Sequence, residues 1–169
     1  MRGAASLLAA LALATYGASA IVSLPSFGWA TSLEVLAGPD SDWDWVRSFE
    51  PHADGFDAEV HLLARGTVRF GDLFLLRSAD GQPHVARFAG SAPPPGVTEF
   101  RFLVAEAATG VVVAEVDLAA GAVESAPFAV LPDFPGQGPR YVGTLVVTVG
   151  PGAPESFHVR WGLEEIAGP

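Results

Sequence analysis

Three aspartates at alternate positions, Asp40, Asp42 and Asp44, form a compact set of oxygen donors. Hard cations need several such ligands on a tight turn, and Asp-x-Asp-x-Asp opens a calcium loop. The rest of that pattern is missing. Trp45 stands where the turn glycine belongs, and Pro51 where the bidentate glutamate belongs. A solvated acidic loop is the expectation, with a calcium site completed by distant residues as the alternative. The histidines are His52, His61, His84 and His158, and no two have metal-ligand spacing. There is no Gly-x-Ser-x-Gly elbow and no glycine-rich phosphate loop between a strand and a helix. Without cysteine, thiol chemistry and zinc–thiolate sites are excluded. Glu164-Glu165 reads as a soluble tail rather than a catalytic pair. The chain is therefore expected to be non-enzymatic and to need no cofactor. One binding constellation remains: Trp43 and Trp45 could stack on a sugar face, with Asp42 and Asp44 taking its hydroxyls, although tryptophan serves equally as a buried anchor.

The elements that must position these residues read as strands. From Phe27 to Val35 the odd positions are Phe, Trp, Thr, Leu and Val, alternating with Gly, Ala, Ser and Glu. Further strands are expected at 58–63, 67–70, 73–77, 84–89, 100–106, 111–118, 122–131, 141–149 and 156–163. Asp80-Gly81 is a tight-turn signal, which predicts a hairpin between 73–77 and 84–89. A second hairpin is expected around Ala108-Thr109-Gly110. Glycine and proline gather between the runs, and no helix period survives beyond residue 20. The expected fold is all-β: one antiparallel sandwich, jelly-roll or immunoglobulin-like, after an N-terminal signal helix. The segment 38–57 is expected to fold back on the sandwich as an ordered aromatic loop.

The first twenty residues set the compartment. Arg2, the apolar run from Ala4 to Ala14 and the small-residue sequence Ala18-Ser19-Ala20 follow the order of a secretory signal peptide. Residues 1–20 are read as that leader, cut after Ala20, the alternative being an uncleaved anchor. Residues 21–169 form a single domain on the outside of a cell, secreted or held at the surface. The net charge of −10, carried without a single lysine, argues against nucleic acid and anionic membrane as partners. Contact with a membrane is expected only through an uncut leader.

Directly after the leader, residues 21–36 are strongly apolar for a mature N-terminus, with Ile21, Leu24, Phe27, Trp29, Leu33 and Val35. They read either as the first strand of their own sandwich or as an arm donated to a neighbour's sheet. An added strand satisfies open edge hydrogen bonds and buries alternate side chains. Repeated head to tail, it gives a filament.

The order of these features resembles exported fibre-forming proteins of the TasA/camelysin type and their archaeal bundling-pilus relatives. The resemblance rests on three stretches: the leader ending Ala14-Thr15-Tyr16-Gly17-Ala18 with the alternating strand that follows it; the Gly66–Val85 phrase of Gly71-Asp72, strand, Asp80-Gly81 turn and returning strand; and the late strand 142–149 with its closing partner. The chain departs from that pattern at Ser26-Phe27-Gly28-Trp29, where the family carries an aromatic-Ser-Asp phrase. The resemblance implies a structural subunit that self-assembles with copies of itself into a surface filament or biofilm matrix by donor-strand complementation. The metalloprotease activity attributed to camelysin-like proteins is not carried over, since no metal-ligand set accompanies the likeness. The alternative is a monomeric secreted or surface sandwich that binds a carbohydrate or other ligand.

Overall fold

The computed structural model describes residues 32–52, 54–62 and 65–166. The leader and the arm residues Ile21, Leu24, Phe27 and Trp29 lie outside the described residues. Ten strands are present among those described: β1 (Leu33–Ala37), β2 (Val46–His52), β3 (Gly55–His61), β4 (Gly66–Ser78), β5 (His84–Gly90), β6 (Val97–Glu106), β7 (Val112–Asp117), β8 (Phe128–Val130), β9 (Tyr141–Val149) and β10 (Ser156–Ile166). They pair into two five-stranded sheets in the orders β1-β4-β9-β6-β7 and β2-β3-β10-β5-β8. Every pairing is antiparallel. The chain is thus an antiparallel β-sandwich. From β3 onward successive strands alternate between the sheets, except at the β6–β7 hairpin, which is jelly-roll connectivity.

Three local expectations change. The Asp80-Gly81 turn does not close a hairpin: β4 and β5 belong to opposite sheets, so the turn is a corner that crosses the sandwich. Gly81 supplies the positive φ (72°) that this corner needs. The runs 67–70 and 73–77 merge into one strand of 13 residues. Gly71-Asp72, which suggests a break in the sequence, is an irregularity in the ladder: Phe70 faces Leu145 and Phe74 faces Gly143, so four steps of β4 match two of β9. Finally, the expected loop 38–57 is mostly a strand pair. A 3-10 turn (Pro39–Asp42) leads into β2, which runs against β3.

The core lies between the sheets, and Trp161 of β10 is its centre. The indole packs against Phe74 (4.5 Å between centroids), Phe88 (5.2 Å) and Phe56 (5.7 Å). Phe74 belongs to one sheet and the other three rings to the opposite one, so this cluster joins the two layers. The inward residues of β10, Phe157, Val159, Trp161 and Leu163, occupy alternate positions, as a pleated strand requires.

Gly143 makes room for the cluster. A methyl group on its Cα would overlap the ring of Phe74, which is itself fully buried. Gly143→Ala is expected to lower the stability to unfolding in urea by about 1–3 kcal/mol, the usual cost of overpacking a tight core. An unchanged midpoint would mean that Phe74 has another place to go.

Candidate functional site

The acidic loop is occupied by the fold itself. The 3-10 turn aims the Asp40 carboxylate at the irregular stretch of β4, where it accepts the backbone N–H groups of Gly71 (2.7 Å) and Asp72 (3.3 Å). Asp42 and Asp44 are exposed. Among the described residues no group of three or more histidine, aspartate or glutamate side chains is placed to hold a metal ion. Among the described residues, the distant ligands that a calcium site at Asp40, Asp42 and Asp44 would require are not brought there.

Trp43 and Trp45 do come together. Their rings stack 5.3 Å apart and 6° from parallel, and Trp43 meets Phe70 edge-on at 5.7 Å. Only Trp43 is exposed, whereas Trp45 packs half-buried against the core. The expected two-ring platform is therefore a single exposed indole backed by its neighbour. It also sits beside a gap in the sheet. β1 covers only Phe74–Ser78 of β4, so Gly66–Phe70 has no strand on that side, and Trp43 stands against Phe70 there.

Leu33 and Val35 are resolved as part of this chain's own sandwich. Both are buried, at 2% and 3% exposure, and β1 pairs with β4 from Leu33↔Ser78 to Ala37↔Phe74. Their inward parity matches the alternation seen in the sequence. Any donated segment is thereby confined to the residues before β1.

An open surface lies on the opposite flank. β7 and β8 are the edges of their respective sheets, each with a strand neighbour on one side only. Most of the exposed large apolar side chains collect here. Val111 (59% exposed) precedes β7, Val112 and Val113 begin it, Val123 (70%) lies between β7 and β8, and Leu131 follows β8. Val85 stands beside β8, paired with Ala129. Phe134, in the segment after β8, is exposed beneath the guanidinium of Arg140 at 4.4 Å. The sequence carried a signal for this surface. In Val111-Val112-Val113 neither parity is polar, so a half-buried strand must leave valine in water. The rest of the outer face of the β2-β3-β10-β5-β8 sheet contrasts with it, bearing the pairs Arg47–Glu59, Arg160–Asp57 and Arg87–Glu164.

The corner between β4 and β5 holds a charged clamp that the sequence did not reveal. His84 Nε2 meets Asp80 at 2.7 Å and Nδ1 meets Glu165 at 2.8 Å. Both ring nitrogens face carboxylate oxygens, which only the imidazolium can satisfy by donating twice. The His84 pKa is accordingly raised above its ordinary 6.5, first by the Asp80 bond, against the opposing effect of burial, and then by Glu165. Asp80 is lowered to about 2, by His84 first and then by the N–H of Gln82. Ser78 Oγ also donates to Asp80, fixing the corner from β4.

No family model matches the chain, and no curated protein matches it. Among solved structures, one described as "CBM4 structure and function" is similar at 12% identity and a TM-score of 0.31, over 80% of this chain and 95% of that one.

The clamp makes stability depend on pH in a defined direction. The contribution of His84 is fully present below the unfolded histidine value of about 6.5 and is lost as pH rises through its higher folded value. That of Asp80 is present above its unfolded value and is lost as pH falls through about 2. Thermal midpoints should therefore decline as pH rises above the unfolded histidine value of about 6.5, and His84→Gln should flatten that decline. In a carbon-detected titration the His84 ring should show a midpoint above 6.5; a midpoint at or below the ordinary value would mean that the clamp does not form in solution.

Proposed function

We propose that the protein is an extracellular structural subunit that self-assembles into a surface filament or matrix by strand addition. The apolar arm before β1, with Ile21, Leu24, Phe27 and Trp29, is the donor. The edge of β7 is the acceptor. The carrying observation is the position of the two: β1 and β7 are the opposite edges of one sheet. An arm that leaves from one edge and docks on the far edge of the next copy makes a heterologous contact, which propagates rather than closes. The valines at β7 support this reading, since an exposed apolar edge is a template for pairing. No lysine or proline lies within β7 to blunt it. Compared with the 21–36 segment read from the sequence, the donor shortens to about the residues 21–31, because Leu33 and Val35 serve their own core. Secretion through the 1–20 leader and the absence of enzymatic activity belong to the same reading.

A second reading has one observation in its favour. The exposed face of Trp43, stiffened by Trp45 behind it, suits the apolar face of a sugar. In that case the protein acts as a monomeric surface domain that binds carbohydrate.

Two changes separate the readings by electron microscopy and sedimentation. Removal of residues 21–31 should give a soluble monomer that keeps its β spectrum. Val112→Lys with Val113→Lys should also leave the fold intact, since both side chains are exposed, yet raise the concentration needed for assembly by at least about tenfold, or ~1.4 kcal/mol of contact. Filaments that persist in both variants would rule out this interface. A monomeric wild type that binds oligosaccharide through Trp43 would favour the second reading.

A further inference from the structure

A cleft of about 360 Å³ opens at the end of the sandwich where β3 and β9 finish and β4 and β10 begin. It lies within the ~300–1,000 Å³ range of small-molecule sites. His61, Arg65 and Glu155 bring polar groups to it, and Leu62, Val149 and Pro154 line it with apolar surface. Its frame is fixed by backbone bonds. Leu62 N–H donates to the Glu155 carbonyl at 2.8 Å, and His61 N–H donates to the Trp45 carbonyl at 2.8 Å.

Two groups at this cleft are not used by the fold. His61 Nδ1 is buried and has no hydrogen-bond partner among the described residues, although such groups are nearly always paired in folded proteins. Arg65 is the second. Arg47, Arg77, Arg87, Arg101, Arg140 and Arg160 each lie against a carboxylate. Arg65 and Arg69, both exposed, make no ion pair among the described residues, and of the two Arg65 lines this cleft. A guanidinium and an imidazole on one cleft are donors suited to a carboxylate, the ring donating through Nε2 because Nδ1 is closed to solvent. Glu155 on the same rim is an acceptor suited to a hydroxyl. The apolar wall suits the C–H face of a ring.

We infer that this cleft binds a hydroxylated carboxylate of the sugar-acid class, with Arg65 and His61 on the carboxylate and Glu155 on a hydroxyl. The site is separate from the β7 edge, so the inference stands whether or not the protein assembles.

Calorimetric titration of the full-length mature protein with glucuronate, glucose and acetate tests it, with the His61 ring signals followed by NMR. Glucuronate should bind and shift His61. Glucose, which lacks the carboxylate, and acetate, which lacks the ring hydroxyls, should each bind at least about tenfold more weakly, or ~1.4 kcal/mol. Arg65→Gln should cost a similar factor and Glu155→Gln a smaller one, while Arg69→Gln, on the neighbouring strand, should leave binding unchanged. All three side chains are exposed, so the fold is spared. Glucuronate that leaves His61 unshifted, or binding that survives Arg65→Gln, would overturn the site. Equal affinity for acetate or glucose would overturn the assigned ligand class.

Discussion

The contact between Trp161 and Phe74 is where the two sheets become one structure. Trp161 belongs to the central strand β10 of one sheet and Phe74 to β4 of the other, and their rings lie 4.5 Å apart. Phe56 and Phe88 flank the indole within its own sheet, and Phe102 reaches Phe56 from across the core. A domain with no cysteine has no disulfide brace, so aromatic burial must hold the layers together. Aromatic pairs in these geometries add roughly 0.5–1.5 kcal/mol beyond their buried area. The packing extends into the backbone. β4 carries two extra residues opposite β9, and Gly143 has no side chain where Phe74 comes in. The same irregular stretch presents the N–H groups of Gly71 and Asp72 that the Asp40 carboxylate accepts. The acidic loop is thus anchored by a distortion of β4 next to the residue that enters the core.

Jelly-roll connectivity explains why the corner at Asp80 carries so much charge. A hairpin turn is secured by the ladder on either side of it. A corner that passes from one sheet to the other has no shared ladder, so side chains must hold it. Asp80, His84 and Glu165 do this by joining the turn to β5 and β10. The topology also sets β1 and the valine-rich β7 at opposite edges of one sheet, with β4, β9 and β6 between them.

The interior strands were legible from residue pattern alone. Tyr141–Val149 matches the expected strand at both ends, and its position in the sheet centre explains why it is almost continuously apolar. The β6–β7 hairpin also matched, because the two strands pair across the short turn that the sequence marks. β2 was not legible. As an edge strand its residues Arg47, Ser48, Glu50 and Pro51 face water, so the sequence reads as a polar loop. Of the expected strand 122–131 only Phe128–Val130 forms, since β8 pairs with just three residues of β5. The Asp80-Gly81 turn was recognised but misassigned, because turn chemistry is local and does not say which sheet the returning strand will join. The same limit applied to sites. Leu33 and Val35 showed their buried parity, but only the pairing with β4 revealed whose core they fill. His84, Asp80 and Glu165 are brought together by three elements, a juxtaposition that no spacing encodes.

Among the described residues the core is closed along the β1 side. β1 fills the edge of β4 at Phe74–Ser78, and Trp43 with the acidic loop stands beside the remaining gap, leaving Phe70 fully buried. An acceptor that lacked a strand would instead expose its inner residues along a groove, and none of Ala114, Val116 or Leu118 near β7 is exposed. Strand addition at β7 would therefore join subunits that are already folded. Its driving force would be the hydrogen bonds of one open edge and the valine surface at its start, not completion of a fold. Such a joint adds contact area without changing what lies beneath it. Mutations on the exposed side of β7 should consequently separate assembly from stability, whereas mutations at Trp161, Phe74 or Gly143 act on both.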